Sequence, residues 1–411
     1  MEAPLATAGA FEHSNQQPAT EPQLLPKALR DDIRRSLAPP LLMQRRLGRW
    51  GPGALTGLWL WPMSFCAYRA LKEVGAESVA IVLVAAFPAV GLIFCAHTNR
   101  IAAVVCPHVL SQLDEARVSA KGTATLSKTL RGMKALLGYS VLLLGGMSAT
   151  LAIELKPEAA YEWVAAALLV ALAAATGVMA ATSQLAQDLA FLLAADAAEQ
   201  VAIDVHCTTA ATADWNALAK RVNTVHKGTV ALSQKMTPVL FGMACIQFLT
   251  VLIFLFIAVG PRPDGRNWYN TFCNQYFMAV IATFTAGMLV WTLSGPAKIT
   301  SACQKICSAI NDLRLDVGAD GAVTLVTSEQ LHRIEGLNRY INELNKNQGL
   351  GFLVLRKRIT FTLVLALMIQ TVSGLIVINT TMISFAAVEG KEEVTSSEVM
   401  DCRHAQGLGV P

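Results

Sequence analysis

The sequence predicts an all-α polytopic membrane protein with seven transmembrane helices, the N-terminus cytosolic and the C-terminus extracytosolic. Three observations predict it. Of the 411 residues 54% are apolar and only 15% charged, with a mean hydropathy of +0.45, whereas soluble domains carry about a quarter charged residues. Seven stretches lack Asp, Glu, Lys and Arg altogether: 50–68, 78–98, 135–153, 163–187, 236–260, 275–293 and 359–388. Each has at least the ~17 residues that cross the hydrocarbon core of a bilayer as a helix. The basic residues, finally, fall unequally on the two sides of this arrangement.

Residues 1–49 form the cytosolic tail. The first 26 (MEAPLATAGAFEHSNQQPATEPQLLP) are rich in Pro, Ala and Gln without periodicity, a composition expected to be disordered. They lack the early basic cluster and apolar core of a secretory signal, so the first span is expected to act as its own insertion signal. From Lys27 to Arg49 the chain turns basic, with Arg34-Arg35, Arg45-Arg46 and Arg49 leading into a first span that is rich in Gly and interrupted by Pro62. With this end inside, the cytosolic side holds 26 of the 33 Lys and Arg residues and the other side 7. Cytosolic loops retain such an excess, above all when the charges lie close to the spans, as the N-tail arginines and Arg356-Lys357-Arg358 do. A net charge of +4 spread in this way does not make the clustered basic surface that nucleic acid requires.

The outer connections have 9 to 14 residues and the inner ones 36, 48 and 65. The soluble mass is therefore cytosolic. Helix-compatible text fills those inner loops at about 188–205, 215–235, 299–315 and 328–350. Thr327-Ser328-Glu329-Gln330 reads as a capping box, in which side chains satisfy the free backbone groups at a helix start. Leu331, Ile334, Leu337, Ile341 and Leu344 then recur every three or four residues and make one apolar face. Such a face needs a partner, so these residues are expected to build a cytosolic anchor bundle or an oligomer contact. The intervening 316–324 (DVGADGAVT) reads as a flexible loop, and 389–411 as an extracytosolic tail.

Membrane enzymes and pumps place ionisable groups inside their spans. Here the spans contain none except His97, at the edge of the second and beside Asn99-Arg100, where it reads as an interfacial residue. There is no Gly-rich phosphate loop, His-Glu-x-x-His run or nucleophile elbow. Neither enzyme activity nor a cofactor or metal is expected. The nine cysteines are scattered rather than arranged as a disulfide framework. Cys303 and Cys307 lie one helical turn apart without a second cluster and read as ordinary thiols, while Cys273 and Cys402 share the outer side, which leaves their pairing open.

The last span is the most informative. Its 30 uncharged residues make ~45 Å of helix against a core of ~30 Å, so it is expected to project from the bilayer or bend near Gly374. Gln370, Ser373, Thr380 and Ser384 share one face with Val377 between them. A polar stripe of this kind suits either close helix packing or a water-filled pathway, with Val377 as a hydrophobic constriction. On the outer side 11 acids face 7 bases, which would concentrate cations at a mouth or simply be a solvated surface. Trp59, Trp61, Phe65, Tyr161, Trp163, Trp268, Tyr269, Phe272 and Tyr276 lie on the outer halves of the spans. They form a pool either for a ligand cavity or for the aromatic belt of the interface.

This layout, together with the text of residues 215–257 and 295–377, resembles the insect gustatory and odorant receptor superfamily and its gustatory-receptor-like relatives. Gly351-Phe352-Leu353-Val354-Leu355-Arg356-Lys357-Arg358 is similar to the family's Gly-Phe-Phe element before the final helix. The family's Thr-Tyr…Gln-Phe signature is replaced by Ile369-Gln370 and Ile376-Val377, which marks a distant relative. The resemblance implies a homotetramer in the plasma membrane with one pore, lined by the outer part of the last helix. It also implies an anchor of cytosolic helices, a small-molecule pocket among the outer halves of the first six spans, and the function of a ligand-gated, weakly selective cation channel or chemoreceptor. The alternative is a non-conducting receptor or scaffold of the same fold. A G-protein-coupled receptor would need the opposite orientation, and a transporter would need related halves with midplane ionisable residues.

Overall fold

A computed structural model describes residues 23–55, 57–58, 92–154, 160–207, 214–259, 272–312, 328–347, 350–354, 357–366, 369 and 373. Over these residues the chain is all-α, with two short antiparallel ribbons as its extended structure. Two small helices open it, α1 (Lys27–Ser36) and α2 (Ala38–Leu47). α1 is amphipathic: Ile33, with Leu25 before it and Leu37 after it, is buried, while Asp32 reaches Lys134 and Arg34 reaches Asp114. The strand ahead of α1, β1 (Gln23–Leu24), pairs with β2 (Arg117–Val118), Gln23 opposite Val118. These contacts bind the basic N-terminal segment to the bundle.

A helix α3 runs from Leu92 to Asp114. It widens into a π-helical turn at Ile101–Val105 just ahead of Pro107, which has no N–H to give and whose ring crowds the preceding turn. Four long or medium helices follow: α4 (Ala120–Glu154), α5 (Ala160–Cys207), α6 (Trp215–Val259) and α7 (Phe272–Asp312). Two of their starts are chemically marked. Ser119 Oγ accepts from Gly122 N–H at 2.8 Å ahead of α4, and Asp214 Oδ1 accepts from the N–H groups of Asn216 and Ala217 at 3.1 Å ahead of α6. Both are N-cap bonds that satisfy donors with no partner inside the helix. The 48, 45 and 41 residues of α5, α6 and α7 correspond to ~60–70 Å of helix, about twice a bilayer core. Each apolar run and the polar text beside it are thus one continuous rod.

α5 is the centre of the bundle. It packs along α4 on one side and α7 on the other, while α6 packs along α7. All ten residues from Ala181 to Ala190 are buried, and the many alanines of α5 let its neighbours come close. The helix α8 (Ser328–Asn347) begins at the Ser328 of the capping text and lies against α7 and α6. Its Leu337 and Ile341 are buried and Leu331 is 44% exposed; the side chains of Ile334 and Leu344 are outside the described set.

Among the described residues, two helical stretches are long and apolar enough to cross a membrane by length and composition, Leu92–Asp114 and Val170–His206. The second is largely buried inside the protein, as the core helix of any bundle is. Leu142, Val164, Leu168, Phe241, Phe248 and Trp291 are between 41% and 76% exposed on α4 to α7.

Candidate functional site

The described residues place polar chemistry in two adjoining arrangements where the apolar runs of α5, α6 and α7 give way to their polar extensions. The first is a buried network. Asp188 of α5 is 6% exposed. Its Oδ2 accepts from the Trp291 indole N–H of α7 at 2.8 Å, and its Oδ1 accepts from Gln184 Nε2 at 3.1 Å. The Thr292 hydroxyl faces both Gln184 Oε1, at 3.2 Å, and the Met288 carbonyl oxygen, at 2.8 Å. Gln247 Nε2 of α6 reaches Thr292 Oγ1 at 3.4 Å. Three helices are therefore stitched together by one carboxyl, two amides, a hydroxyl and an indole. In a medium of low dielectric such bonds are worth more than in water, and a gap in them costs more. Gaps exist: Ser183 Oγ, Gln187 Oε1 and Gln247 Oε1 are buried without a hydrogen-bond partner among the described residues, and His97 is buried close by. His97 Nδ1 stands 3.9 Å from where a Cβ on Gly242 would be, so α3 and α6 enclose it.

The second arrangement is the entry to the last helix. Gly351 has φ +129° and Phe352 is fully buried. A Cβ on Gly351 would lie 3.0 Å from Thr300 Cγ2, so both the backbone conformation and the close approach call for glycine there. The Phe352 N–H donates to Thr300 Oγ1 at 3.1 Å, and the Leu353 N–H to Ser233 Oγ at 3.2 Å. Thr237 Oγ1 donates to the Leu353 carbonyl at 3.3 Å. A ribbon of β3 (Leu353–Val354) and β4 (Lys357–Arg358) follows, closed by Ile359 N–H on the Phe352 carbonyl at 3.1 Å. Thr360 then caps the last helix, its Oγ1 accepting from Leu363 N–H at 3.2 Å. Helix α6 carries Pro238 beside Thr237, and α7 carries Pro296 one turn before Thr300. Both prolines interrupt their helix bonding next to the docked segment.

One side chain joins the two arrangements. Phe191, almost one turn beyond Asp188, meets Phe352 edge-to-face at 5.5 Å with the rings at 90°. On its other side it touches Gly295, where an added Cβ would come within 2.4 Å of Phe191 Cδ2. Phe191 also borders a cavity of about 370 Å³, with Asp188, Gly287, Trp291, Gly295 and Lys298 around it.

Of the residues the sequence singled out for a pore, Ser373 is helical and exposed, while Gln370, Val377, Thr380 and Ser384 lie outside the described residues. Among the aromatic pool, Trp163 is 56% exposed at the start of α5. Tyr161, Phe272 and Tyr276 are in helices without described side chains, and Trp59, Trp61, Phe65, Trp268 and Tyr269 lie outside the described residues, as does 316–324. Cys303 is buried, and that burial pushes its thiol up to about 12; burial also raises Cys307. Neither is a ready nucleophile or metal ligand, since both reactions need the thiolate. Among the described residues no group of His, Cys, Asp and Glu is placed to hold a metal ion. Cys273 and Cys402 lie beyond the described side chains. No protein-family model matches the chain, and no curated protein is similar to it.

Asp188 is what sequence reasoning missed. The fourth apolar run ends at Gln187 because an acid comes next. The signal is present in Ser183-Gln184 and Gln187-Asp188, polar pairs one helical turn apart on an otherwise apolar helix.

Proposed function

We propose that this chain is an integral membrane protein of gustatory-receptor-like architecture, with seven spans and a cytosolic N-terminus. We further propose that it assembles as a homotetramer in the plasma membrane and works as a ligand-gated, weakly selective cation channel or chemoreceptor. The observation that carries this reading is the docked entry to the last helix. A pore helix that is to respond to the rest of the protein needs its start fixed to the moving parts. Here Leu353 is bound to α6 through Ser233 and Thr237, and Phe352 to α7 through Thr300. The exposed apolar side chains of α4 to α7 support the bilayer placement, because lipid tails are their natural surroundings. Asp188, just past the end of the fourth apolar run, supports a functional role, since burying an ionisable group costs energy that its partners must offset.

A cryo-EM map of the full chain in nanodiscs tests the assembly: four-fold symmetry about the last helix is the expected result, and a monomer refutes the tetramer. Whole-cell currents test conduction. Gln370→Ala and Val377→Ala are expected to change permeation. Absence of current with protein present at the cell surface would instead favour the non-conducting receptor or scaffold of the same fold.

A further inference from the structure

The cavity beside Asp188 has a charge pattern that neither the bundle nor the proposed pore uses. Helices α4 and α7 both pack on α5, and the cavity lies in the furrow between them, with Thr129 of α4 on one wall and α7 on the other. Asp188, Phe191 and Leu192 of α5 line it as well. Along α7 the lining runs from Gly287 and Val290, inside the apolar run, through Trp291 to Lys298 beyond it. That is ~16 Å at the helical rise. The order along the furrow is therefore apolar, then acidic at the level of Trp291, then basic. Lys298 is exposed and, among the described residues, lies too far from Asp188 for an ion pair, while its charge still favours the Asp188 carboxylate across the shared space. Each Asp188 oxygen holds one hydrogen bond, and a carboxylate oxygen accepts two. Trp291 is 41% exposed and offers an aromatic surface beside the acid, which favours a cation. The volume of about 370 Å³ is at the small end of ligand pockets, enough for a polar head and the beginning of a chain.

We propose that this furrow binds a zwitterionic amphiphile whose ammonium group stands next to its apolar chain and whose anion is distal. The ammonium lies against Asp188 and Trp291, the anion meets Lys298, and the chain extends past Gly287 toward the bilayer. This order is the reverse of a phosphocholine or phosphoethanolamine lipid, in which the phosphate comes before the amine, so bulk phospholipid does not match the site. Occupancy presses on Phe191, which holds Phe352 at the entry to the last helix, and gives the ligand a route to that helix. The inference rests on the bilayer placement proposed above and not on conduction.

The test uses the full chain in maltoside micelles and two probes with the same twelve-carbon chain and opposite head order, a dodecyl sulfobetaine and dodecylphosphocholine. Bound probe per chain is counted by native mass spectrometry. The sulfobetaine is expected to bind at one site at least tenfold more tightly than the phosphocholine. Asp188→Asn and Lys298→Gln are each expected to weaken it about tenfold. Gly287→Leu is the decisive variant: a Cβ at Gly287 meets nothing within 4 Å, so leucine enters the furrow without disturbing the fold and should abolish binding while the elution profile stays that of the wild type. Equal affinity for both head orders, or sulfobetaine binding unchanged in Gly287→Leu, overturns the proposal. A chainless sulfobetaine separates a membrane-borne ligand from a cytosolic solute: weak binding supports the amphiphile, and binding as tight as the twelve-carbon probe overturns it. Release of the chain from vesicles by an alkaline wash would refute the bilayer placement separately, with the micelle measurement still deciding the furrow.

Discussion

The same α5 and α7 are joined in two chemically different ways at successive levels of the bundle. At Asp188 the contact is buried and made by neutral partners, Trp291 and Gln184 on the carboxyl and Thr292 on Gln184. Farther along, Glu199 of α5 sits between Lys305 of α7, at 2.9 Å, and Lys121 of α4, at 3.1 Å, with both lysines more than half exposed. The ion pairs look stronger on paper. Water and salt screen them, however, and such surface pairs are worth ~0–1 kcal/mol, whereas orphaning a buried polar group costs ~1–3 kcal/mol. The inner layer is therefore where α5 and α7 are committed to one register, and the outer cuff is where they can be loosened cheaply. A device that transmits motion from a membrane site to the last helix would be built with the rigid joint next to Phe191 and the yielding one beyond it.

The largest expected effect lies where the rigid layer meets the last helix. Phe352→Ala removes a fully buried ring that packs on Phe191, and losses of this kind cost ~3–5 kcal/mol. In SDS titrations from mixed micelles, its unfolding midpoint should shift more than those of Trp291→Phe, Thr360→Ala and Glu199→Gln. A loss below ~1 kcal/mol would mean that the docked segment is not a rigid joint, since a packed ring costs more than that to remove. Trp291→Phe comes next: it keeps an aromatic ring but deletes the indole N–H, leaving Asp188 with Gln184 alone, and should cost ~1–3 kcal/mol by the same assay. If Trp291→Phe were silent, the distinction between the buried layer and the exposed cuff would collapse. Thr360→Ala removes the cap of the last helix and should cost ~1 kcal/mol. Its effect should appear as faster hydrogen exchange at Leu363 and Val364, whose N–H groups lie at the helix start, with little change at Asp188.

The features that were legible in the sequence are those governed by local rules. Helical content followed from apolar runs and from spacing of three or four residues; Thr327, the cap residue read from the sequence ahead of α8, lies outside the described residues. Within α8, Leu337 and Ile341 are buried but Leu331, on the same sequence face, is exposed. Periodicity gives a face; how far a neighbour covers it depends on where that neighbour ends. The site was less legible for the same reason. Asp188 and Trp291 are 103 residues apart, and Phe191 and Phe352 are farther apart still. Nothing in the local text of either partner names the other. An acid at the end of an apolar run is as good a helix boundary as a buried hydrogen-bond centre until the second helix is brought beside it. Of the Gln370 to Ser384 stripe, only Ser373 is among the described residues.

The smallest effect is the sharpest control on the contrast between the two layers. Glu199→Gln removes the charge that Lys305 and Lys121 share but keeps the shape and one acceptor oxygen. It should cost less than ~1 kcal/mol at low salt. Glu199 is 28% exposed and the lysines 56% and 78%, so the interaction is open to counterions, and at ~1 M salt the Debye length falls to ~3 Å, about the N–O separation itself. Wild type and Glu199→Gln should therefore converge in stability as salt rises, while wild type and Trp291→Phe keep a constant difference. That divergence in salt response needs no absolute free energy. Were Glu199→Gln to retain its full effect at ~1 M salt, the cuff would be a dry joint like the inner layer, and the contrast between the two would fail.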